Sequence, residues 1–470
     1  MSANTTIASA VAIRVAIVGH TNTGKTSLIR TLLRNDHFGQ IDDIAGTTRS
    51  VEKTAIYADD AVILELFDTP GFEDSSALLE TLEQLAPARP SQPPAELLRH
   101  FIQQSDDFME FDQEIKVLRQ SLNSDVLLYV IDVREPLLGK YRDEVEILSK
   151  AGKPILPVFN FIQGHSEALQ RWREQMTHFN LHAALEFDTV AFDFEAEKRL
   201  YQKLQSLLEP HYESLQSLID YRQAVWQNLN QAAARRIFQL IREVACYRVE
   251  TKGNKNASHK RAQGVVLEQD EVARMQDFVR DAEQRTLTDL QAIFEFTQLD
   301  LDLQQLPVQD GSWALDIFSP QVMKEFGLDL GSSALSGAAV GAGIDLMVGG
   351  LSLGAASLLG AAVGAGWATA KRYQQELLAA WRGHKWLCVD DNTISLLYLR
   401  QRQLLKALTH RGHAAQGRIK LANEQTSQLP RQWNELLQTL RQNPQWQNSM
   451  VYDSELEAIQ QQMLQWLLAE

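Results

Sequence analysis

One short run constrains this chain more than any other feature. Gly19-His20-Thr21-Asn22-Thr23-Gly24-Lys25-Thr26 matches the pattern G-x-x-x-x-G-K-[ST]. An apolar run, Val11–Val18, precedes it, and a helical pattern over Gly24–Arg34 follows. The pattern therefore sits at a strand-to-helix turn, the context in which it binds phosphate. Gly19 and Gly24 let the backbone wrap closely round phosphate oxygens. Thr23 and Gly24 lead into a helix N-terminus, where unpaired N–H groups and the positive dipole end face an anion. In such a loop Lys25 reaches the β- and γ-phosphates and the Thr26 hydroxyl ligates Mg²⁺.

Two later runs extend the site. Asp68-Thr69-Pro70-Gly71 closes another apolar strand. Its carboxylate is placed to hold the Mg²⁺ shell, and the Gly71 N–H to bind a γ-phosphate. Between the two lies Gly46-Thr47-Thr48-Arg49. A loop threonine that completes the metal shell only when the γ-phosphate is present turns hydrolysis into a switch.

The first 208 residues alternate strand-like and helical runs. The strand-like runs are Val11–Val18, Val51–Tyr57, Ala61–Phe67, Val126–Asp132, Pro154–Asn160 and Ala184–Ala191. Alternation of this kind predicts an α/β domain, a mostly parallel sheet with helices on both faces. A helical insertion is expected over about 73–124, with patterns at Leu78–Leu85 and Ala95–Leu122 and a proline-rich elbow between them. Residues 209–470 predict a mainly α-helical domain, with helical patterns at Tyr212–Arg248, Asp270–Thr297, Leu397–His410, Ala414–Leu440 and Ser454–Leu468.

Gly46-Thr47-Thr48-Arg49 with Asp68-Thr69-Pro70-Gly71 resembles the Era and TrmE branch of the translation-factor-related P-loop GTPases, over roughly residues 11–208. The whole chain resembles a bacterial GTPase family with an uncharacterised, glycine-rich C-terminal domain. The first resemblance implies GTP as substrate and Mg²⁺ as cofactor, with Thr48 as the loop magnesium ligand beside Thr26 and Asp68. It also implies that Asn22 holds a K⁺ ion beside the phosphates, acting as an arginine finger does. Phe72 stands where Ras-like enzymes place a glutamine, and this branch also has a hydrophobic residue there. Glu73 and Asp74 are candidates for orienting water. The reaction expected is GTP to GDP and phosphate, with Lys25, Thr48 and Gly71 as catalytic residues.

Base recognition departs from the family pattern. GTPases read guanine with Asn-Lys-x-Asp, whereas this chain has Asn160-Phe161-Ile162-Gln163. Asn160 is retained, but Gln163 offers a neutral acceptor where a carboxylate would bind more strongly. ATP or loose specificity is therefore open at this stage. Thr189-Val190-Ala191 is a candidate for the short loop that contacts the base.

The second half carries the other anomaly. Residues Leu330–Ala370 hold one charged residue, Asp345, and Gly-Ala-Ala-Val-Gly-Ala-Gly occurs at Gly337–Gly343 and again at Gly360–Gly366. Gly349-Gly350 is the natural turn between the copies. The expectation is a hydrophobic hairpin over 331–370, made of two helices, Ser332–Gly349 and Ser352–Ala370, that meets membrane lipid. A buried hairpin in a soluble helical domain, or an element that forms a homo-oligomer, is the alternative.

The net charge of −15 does not favour nucleic acid as a partner. Most of it, −11, belongs to residues 1–208, leaving −4 on the half expected to meet lipid. Only Cys246 and Cys388 are present, which fits a reducing cytoplasm, with the hairpin at the inner membrane. Two other functions compete with the switch: a nucleotide-binding scaffold with negligible hydrolysis, and an RNA- or ribosome-linked assembly GTPase.

Overall fold

The computed structural model describes residues 11–34, 51–86, 93–189, 194–250, 269–294, 308–309, 312–313, 316–319, 322, 326, 344–348, 351–352, 386–409, 429–448 and 451–469. They fall into two compact units, one up to Gln227 and one from Asn228.

The first unit is built on six strands: β1 (Ile13–Val18), β2 (Glu52–Ala58), β3 (Ala61–Asp68), β4 (Val126–Asp132), β5 (Ile155–Asn160) and β6 (Leu185–Glu186). Their order across the sheet is β2-β3-β1-β4-β5-β6. Only the β2–β3 pairing is antiparallel; β1 lies parallel between β3 and β4. The α/β architecture with a mostly parallel sheet is thus present. Successive residues of a strand face opposite sides, and the core divides accordingly. Val126, Leu128 and Val130 of β4 enter one apolar cluster, and Leu127, Tyr129 and Ile131 the other. All seven residues of β4 are buried, as a central parallel strand covered on both faces requires.

The helices of this unit are α1 (Lys25–Leu33), α2 (Ser75–Leu85), α3 (Pro94–Gln103), α4 (Asp112–Asn123), α5 (Gly139–Ser149), α6 (Ser166–His178), α7 (Phe194–Leu207) and α8 (Tyr212–Cys246), the last of which runs on into the second unit. The Ala95–Leu122 pattern is not one helix. It breaks at Gln104, two short 3₁₀ turns follow at Ser105–Asp107 and Met109–Phe111, and α4 then starts. Phe101, Phe108 and Phe111 cluster at the break, with ring centroids 4.7 and 6.1 Å from Phe101.

The second unit bears out the expected mainly helical domain and adds strands to it. It is largely helical, with α9 (Gln269–Ile293), α10 (Asp391–Thr409), α11 (Trp433–Gln442) and α12 (Ser454–Leu468). Yet it also holds an antiparallel sheet formed by β7 (Val249–Glu250), β10 (Ile344–Val348), β11 (Leu351–Ser352) and β12 (Trp386–Val389), in the order β11-β10-β12-β7. Two further short strands, β8 (Val308–Gln309) and β9 (Ser312–Trp313), pair with each other.

Strand β10 occupies part of the expected helix Ser332–Gly349. Met347 pairs with Ser352, Val348 with Leu351, and Ile344–Met347 pair with Val389–Trp386. The run Ile344-Asp345-Leu346-Met347-Val348 is apolar and β-branched at both ends, so strand geometry suits it. Gly349-Gly350, next in sequence, is a dipeptide suited to a two-residue connection between strands. A helical membrane hairpin therefore has no support at 344–348 and 351–352. The rest of 331–370 lies outside the described residues. Among the described residues no helix is long and apolar enough to cross a membrane.

Within this unit Arg400 is fully buried. It is ion-paired with Glu283 at 3.3 Å and lies over the Trp313 ring at 3.8 Å. Burial pushes the Glu283 carboxyl up to about 7, with Arg400 opposing the shift.

The core of the first unit should respond to truncation at its centre. Leu128→Ala removes a fully buried side chain from β4 and is expected to lower stability by about 2–5 kcal/mol. Denaturant unfolding followed by circular dichroism measures it, and a loss below about 1 kcal/mol would contradict the packing described.

Candidate functional site

The phosphate loop forms where β1 ends and α1 begins. Gly19 and Gly24 have φ of 142° and 92°, in the left-handed region that favours glycine. Space excludes other residues as well: a Cβ on Gly19 would lie 2.5 Å from the Val130 carbonyl oxygen, and one on Gly24 2.3 Å from Asn160 Nδ2. The first intrahelical bond runs from the Leu28 N–H to the Gly24 carbonyl at 2.9 Å. The N–H groups of Lys25, Thr26 and Ser27 therefore lack partners within the helix and are oriented for an anion. Asn22 is exposed, with φ 62°, a conformation asparagine tolerates. The buried Thr23 hydroxyl donates to the His20 carbonyl at 3.0 Å and closes the loop.

Lys25 lies along the inside of the loop. Its ammonium donates to the carbonyls of Gly19 at 3.3 Å and His20 at 2.7 Å, which uses two of its three protons. Burial pulls its pKa down to about 8, while Asp68 and Glu144 oppose the shift. Thr26 donates its hydroxyl proton to Asp68 Oδ2 at 2.6 Å. Burial pushes Asp68 up to about 6 against the Thr26 hydrogen bond and the Lys25 charge. The other oxygen, Asp68 Oδ1, is buried and accepts no hydrogen bond. A hydroxyl, a carboxylate and an unmatched buried oxygen together fit a hard divalent cation such as Mg²⁺.

Gly71 meets the loop directly. A Cβ there would lie 2.5 Å from Thr21 N, so no larger residue fits. Phe72 donates its N–H to the Gly19 carbonyl at 3.2 Å and accepts from the Thr21 hydroxyl at 3.1 Å, and its ring is fully buried. The side chain after the glycine is thus committed to the core. Asp74 is also engaged, because its carboxylate caps α2 by accepting from the Ala77 N–H at 3.0 Å. Glu73 is exposed. Thr48 and its neighbours lie outside the described residues.

At the base end Asn160 is an internal brace. Its Nδ2 donates to the Thr23 carbonyl at 3.0 Å, and its Oδ1 accepts from the N–H groups of Phe161 and Thr189 and from the Thr189 hydroxyl. Gln163 has an exposed side chain, and its N–H donates to Asp188 Oδ2 at 3.4 Å. The Arg134 guanidinium stands over the Phe161 ring at 3.8 Å and forms a forked pair with Asp132.

Sequence reasoning missed a second tier beneath the loop. Glu144 of α5 is fully buried; it pairs with His20 Nδ1 at 2.8 Å and accepts from the Tyr129 hydroxyl at 2.8 Å. Lys140 lies 2.8 Å from His20 Nε2. Glu144 falls within the stripe Tyr141, Val145, Leu148 on the buried face of α5. A carboxylate inside an apolar stripe was the available signal.

Residues 173–469, more than half of the chain, match the family described as "Domain of unknown function (DUF3482)". The chain belongs to that family. In this DUF3482 member, residues 14–161 match the family described as "50S ribosome-binding GTPase", so the α/β unit is a P-loop GTPase domain. The tRNA modification GTPase MnmE of Streptococcus gordonii is 32% identical over 125 residues, 27% of either chain. The same protein from Lactococcus lactis subsp. cremoris MG1363 is 34% identical over 125 residues, again 27% of each. The DUF3482 member thus spans only about a quarter of the length of the curated relatives it matches. The structure of Aquifex aeolicus Era bound to GDP.AlF4- shares 23% identity, over 37% of this chain and 50% of that one, with a TM-score of 0.27.

The raised Asp68 pKa has a stability consequence. A carboxyl whose folded pKa lies above its ordinary value of 3.8 contributes stability below that value and loses it as the pH rises through about 6. Asp68→Asn keeps an acceptor for Thr26 without the buried charge. In EDTA and without nucleotide, the variant should melt above the parent at pH 8, and the gap should shrink as the pH falls through 6. Thermal melts at the two pH values test this, and a parent that is more stable at pH 8 would contradict it.

Proposed function

We propose that the protein binds GTP with Mg²⁺ and hydrolyses it to GDP and phosphate, the two states acting as a switch on the helical second unit. The observation that carries this is the Thr26–Asp68 pair at 2.6 Å beside Lys25, within a loop whose glycines admit no side chain. Thr26 and Asp68 would hold the Mg²⁺, which supplies charge neutralisation on the phosphate oxygens when bound. Lys25 directs its third proton to the same oxygens. The N–H groups at the start of α1 take the remaining phosphate charge, and Thr48 completes the metal shell from its loop. Catalysis is then positioning and electrostatic stabilisation, with no covalent intermediate on the protein.

With Phe72 buried, its side chain does not orient water. Asn22, exposed at the loop surface, is the residue through which K⁺ would act. The structure around Gly71 supports a switch. Glu114 of α4, itself buried, accepts from the N–H groups of Glu73 at 2.9 Å and Asp74 at 3.0 Å. Movement of Gly71 towards a γ-phosphate therefore pulls on α4.

Phosphate release from GTP by the full-length protein tests the reading. Lys25→Ala should abolish turnover while circular dichroism stays unchanged. Tight GTP binding without turnover in the parent would leave a binding scaffold in place of a switch. Potassium is tested separately. Replacing K⁺ by Na⁺ should slow turnover by about tenfold or more, as loss of a charge-neutralising group does, and Asn22→Ala should remove the difference. Equal rates in the two salts would remove K⁺ from the mechanism.

A further inference from the structure

Guanine presents two donors on one edge, N1–H and the 2-amino group, whereas adenine presents an acceptor at N1. A carboxylate accepts from both guanine donors and repels the adenine edge, while a carboxamide accepts less and carries no charge. Residue 163, where the family places that carboxylate, is a glutamine, and its side chain is exposed.

A different carboxylate stands beside it. Asp188, on the segment after β6, is buried, and its Oδ2 accepts from the Gln163 N–H at 3.4 Å. Asp188 is anchored on both sides. Phe187 donates its N–H to the Phe159 carbonyl at 3.0 Å. Thr189 donates its N–H and hydroxyl to Asn160 Oδ1 at 3.0 and 3.1 Å. Asn160 in turn holds the Thr23 carbonyl of the phosphate loop at 3.0 Å. The Thr189 carbonyl also accepts from Thr31 of α1 at 3.2 Å. Asp188 is therefore held in register with the phosphate cradle through two hydrogen-bonded links. A carboxylate has about four acceptor positions, of which the Gln163 N–H takes one.

We propose that Asp188 supplies the carboxylate that reads the guanine edge, in place of the residue at position 163. This rests on the reading of the first unit as a guanine-nucleotide domain. It removes the ambiguity left by Asn160-Phe161-Ile162-Gln163: the specificity group has moved from the loop after β5 to the loop after β6, and the preferred base is guanine.

The test measures affinities of the full-length protein with Mg²⁺ for GDP, XDP and ADP, in the parent, Asp188→Asn and Gln163→Ala. The parent should prefer GDP to ADP. Asp188→Asn keeps an oxygen for the Gln163 N–H, and an unchanged circular dichroism melt checks that it folds. It should lose GDP affinity on the order of 10- to 100-fold, the value of hydrogen bonds to a charged group. It should also gain XDP affinity, because its amide donates to the 2-oxo group of xanthine. A variant that keeps the parent's GDP affinity, or gains none for XDP, overturns the assignment. So does a loss of guanine preference in Gln163→Ala that Asp188→Asn does not share. A parent that binds GDP and ADP equally also overturns it while leaving the phosphate site standing. A parent that binds no nucleotide removes the GTPase reading, and this one with it.

Discussion

Two opposite charges buried side by side set the character of the phosphate end. Taking an ammonium and a carboxylate out of water costs several kcal/mol each, and their attraction repays it only in good geometry. Here burial outweighs the attraction, since Lys25 is pulled down to about 8 and Asp68 pushed up to about 6. The two-sided core of the sheet holds both groups where they are. A ligand that brings negative charge to Lys25 and positive charge to Asp68 relieves the penalty in the folded state alone, so Mg²⁺ with a polyphosphate stabilises the domain as it binds.

Asn160 determines how the rest of the site is joined to that pair. One carboxamide ties the phosphate loop, the end of β5 and the segment after β6 through Thr23, Phe161 and Thr189. Its donors and acceptors are already used inside the fold, so its value is geometric. Phe161, Gln163 and Asp188 are arranged around this centre. The base-reading group can therefore change loops without disturbing the phosphate cradle.

Much of the first unit was legible because its signals are local. A strand followed by a glycine loop and a helix is written in consecutive residues, and β4 coincides with the run Val126–Asp132. Asn160 and Gln163 were legible as a motif, but the bracing role of Asn160 was not, because Thr23 and Thr189 are remote in sequence. Glu144 was hidden for a similar reason: its partners, His20 and Tyr129, come from the phosphate loop and β4. In the second unit the expected helix Ser332–Gly349 includes Ile344–Met347, which pairs with Trp386–Val389 about forty residues later in the sequence. The two glycine- and alanine-rich repeats themselves lie outside the described residues. Local pattern carries no information about such a partner, and strand formation depends on one.

On the proposed switch, phosphate contact would act on the segment after Gly71. Gly71 itself rests on Thr21, and the residues that follow are gripped from two sides. Glu114 of α4 takes the N–H groups of Glu73 and Asp74, while α5 takes the Ser75 hydroxyl through the Lys140 carbonyl at 2.9 Å and the Ser76 hydroxyl through Asp143 at 2.5 Å. Each hydrogen bond to a charged group is worth about 1.5–3 kcal/mol. Breaking two of them costs about as much as the roughly 5.5 kcal/mol that carries a two-state equilibrium from one side to the other. A γ-phosphate that draws Gly71 away from Thr21 works against these bonds. On the proposed switch, the bonds from Glu114 and α5 would oppose that movement.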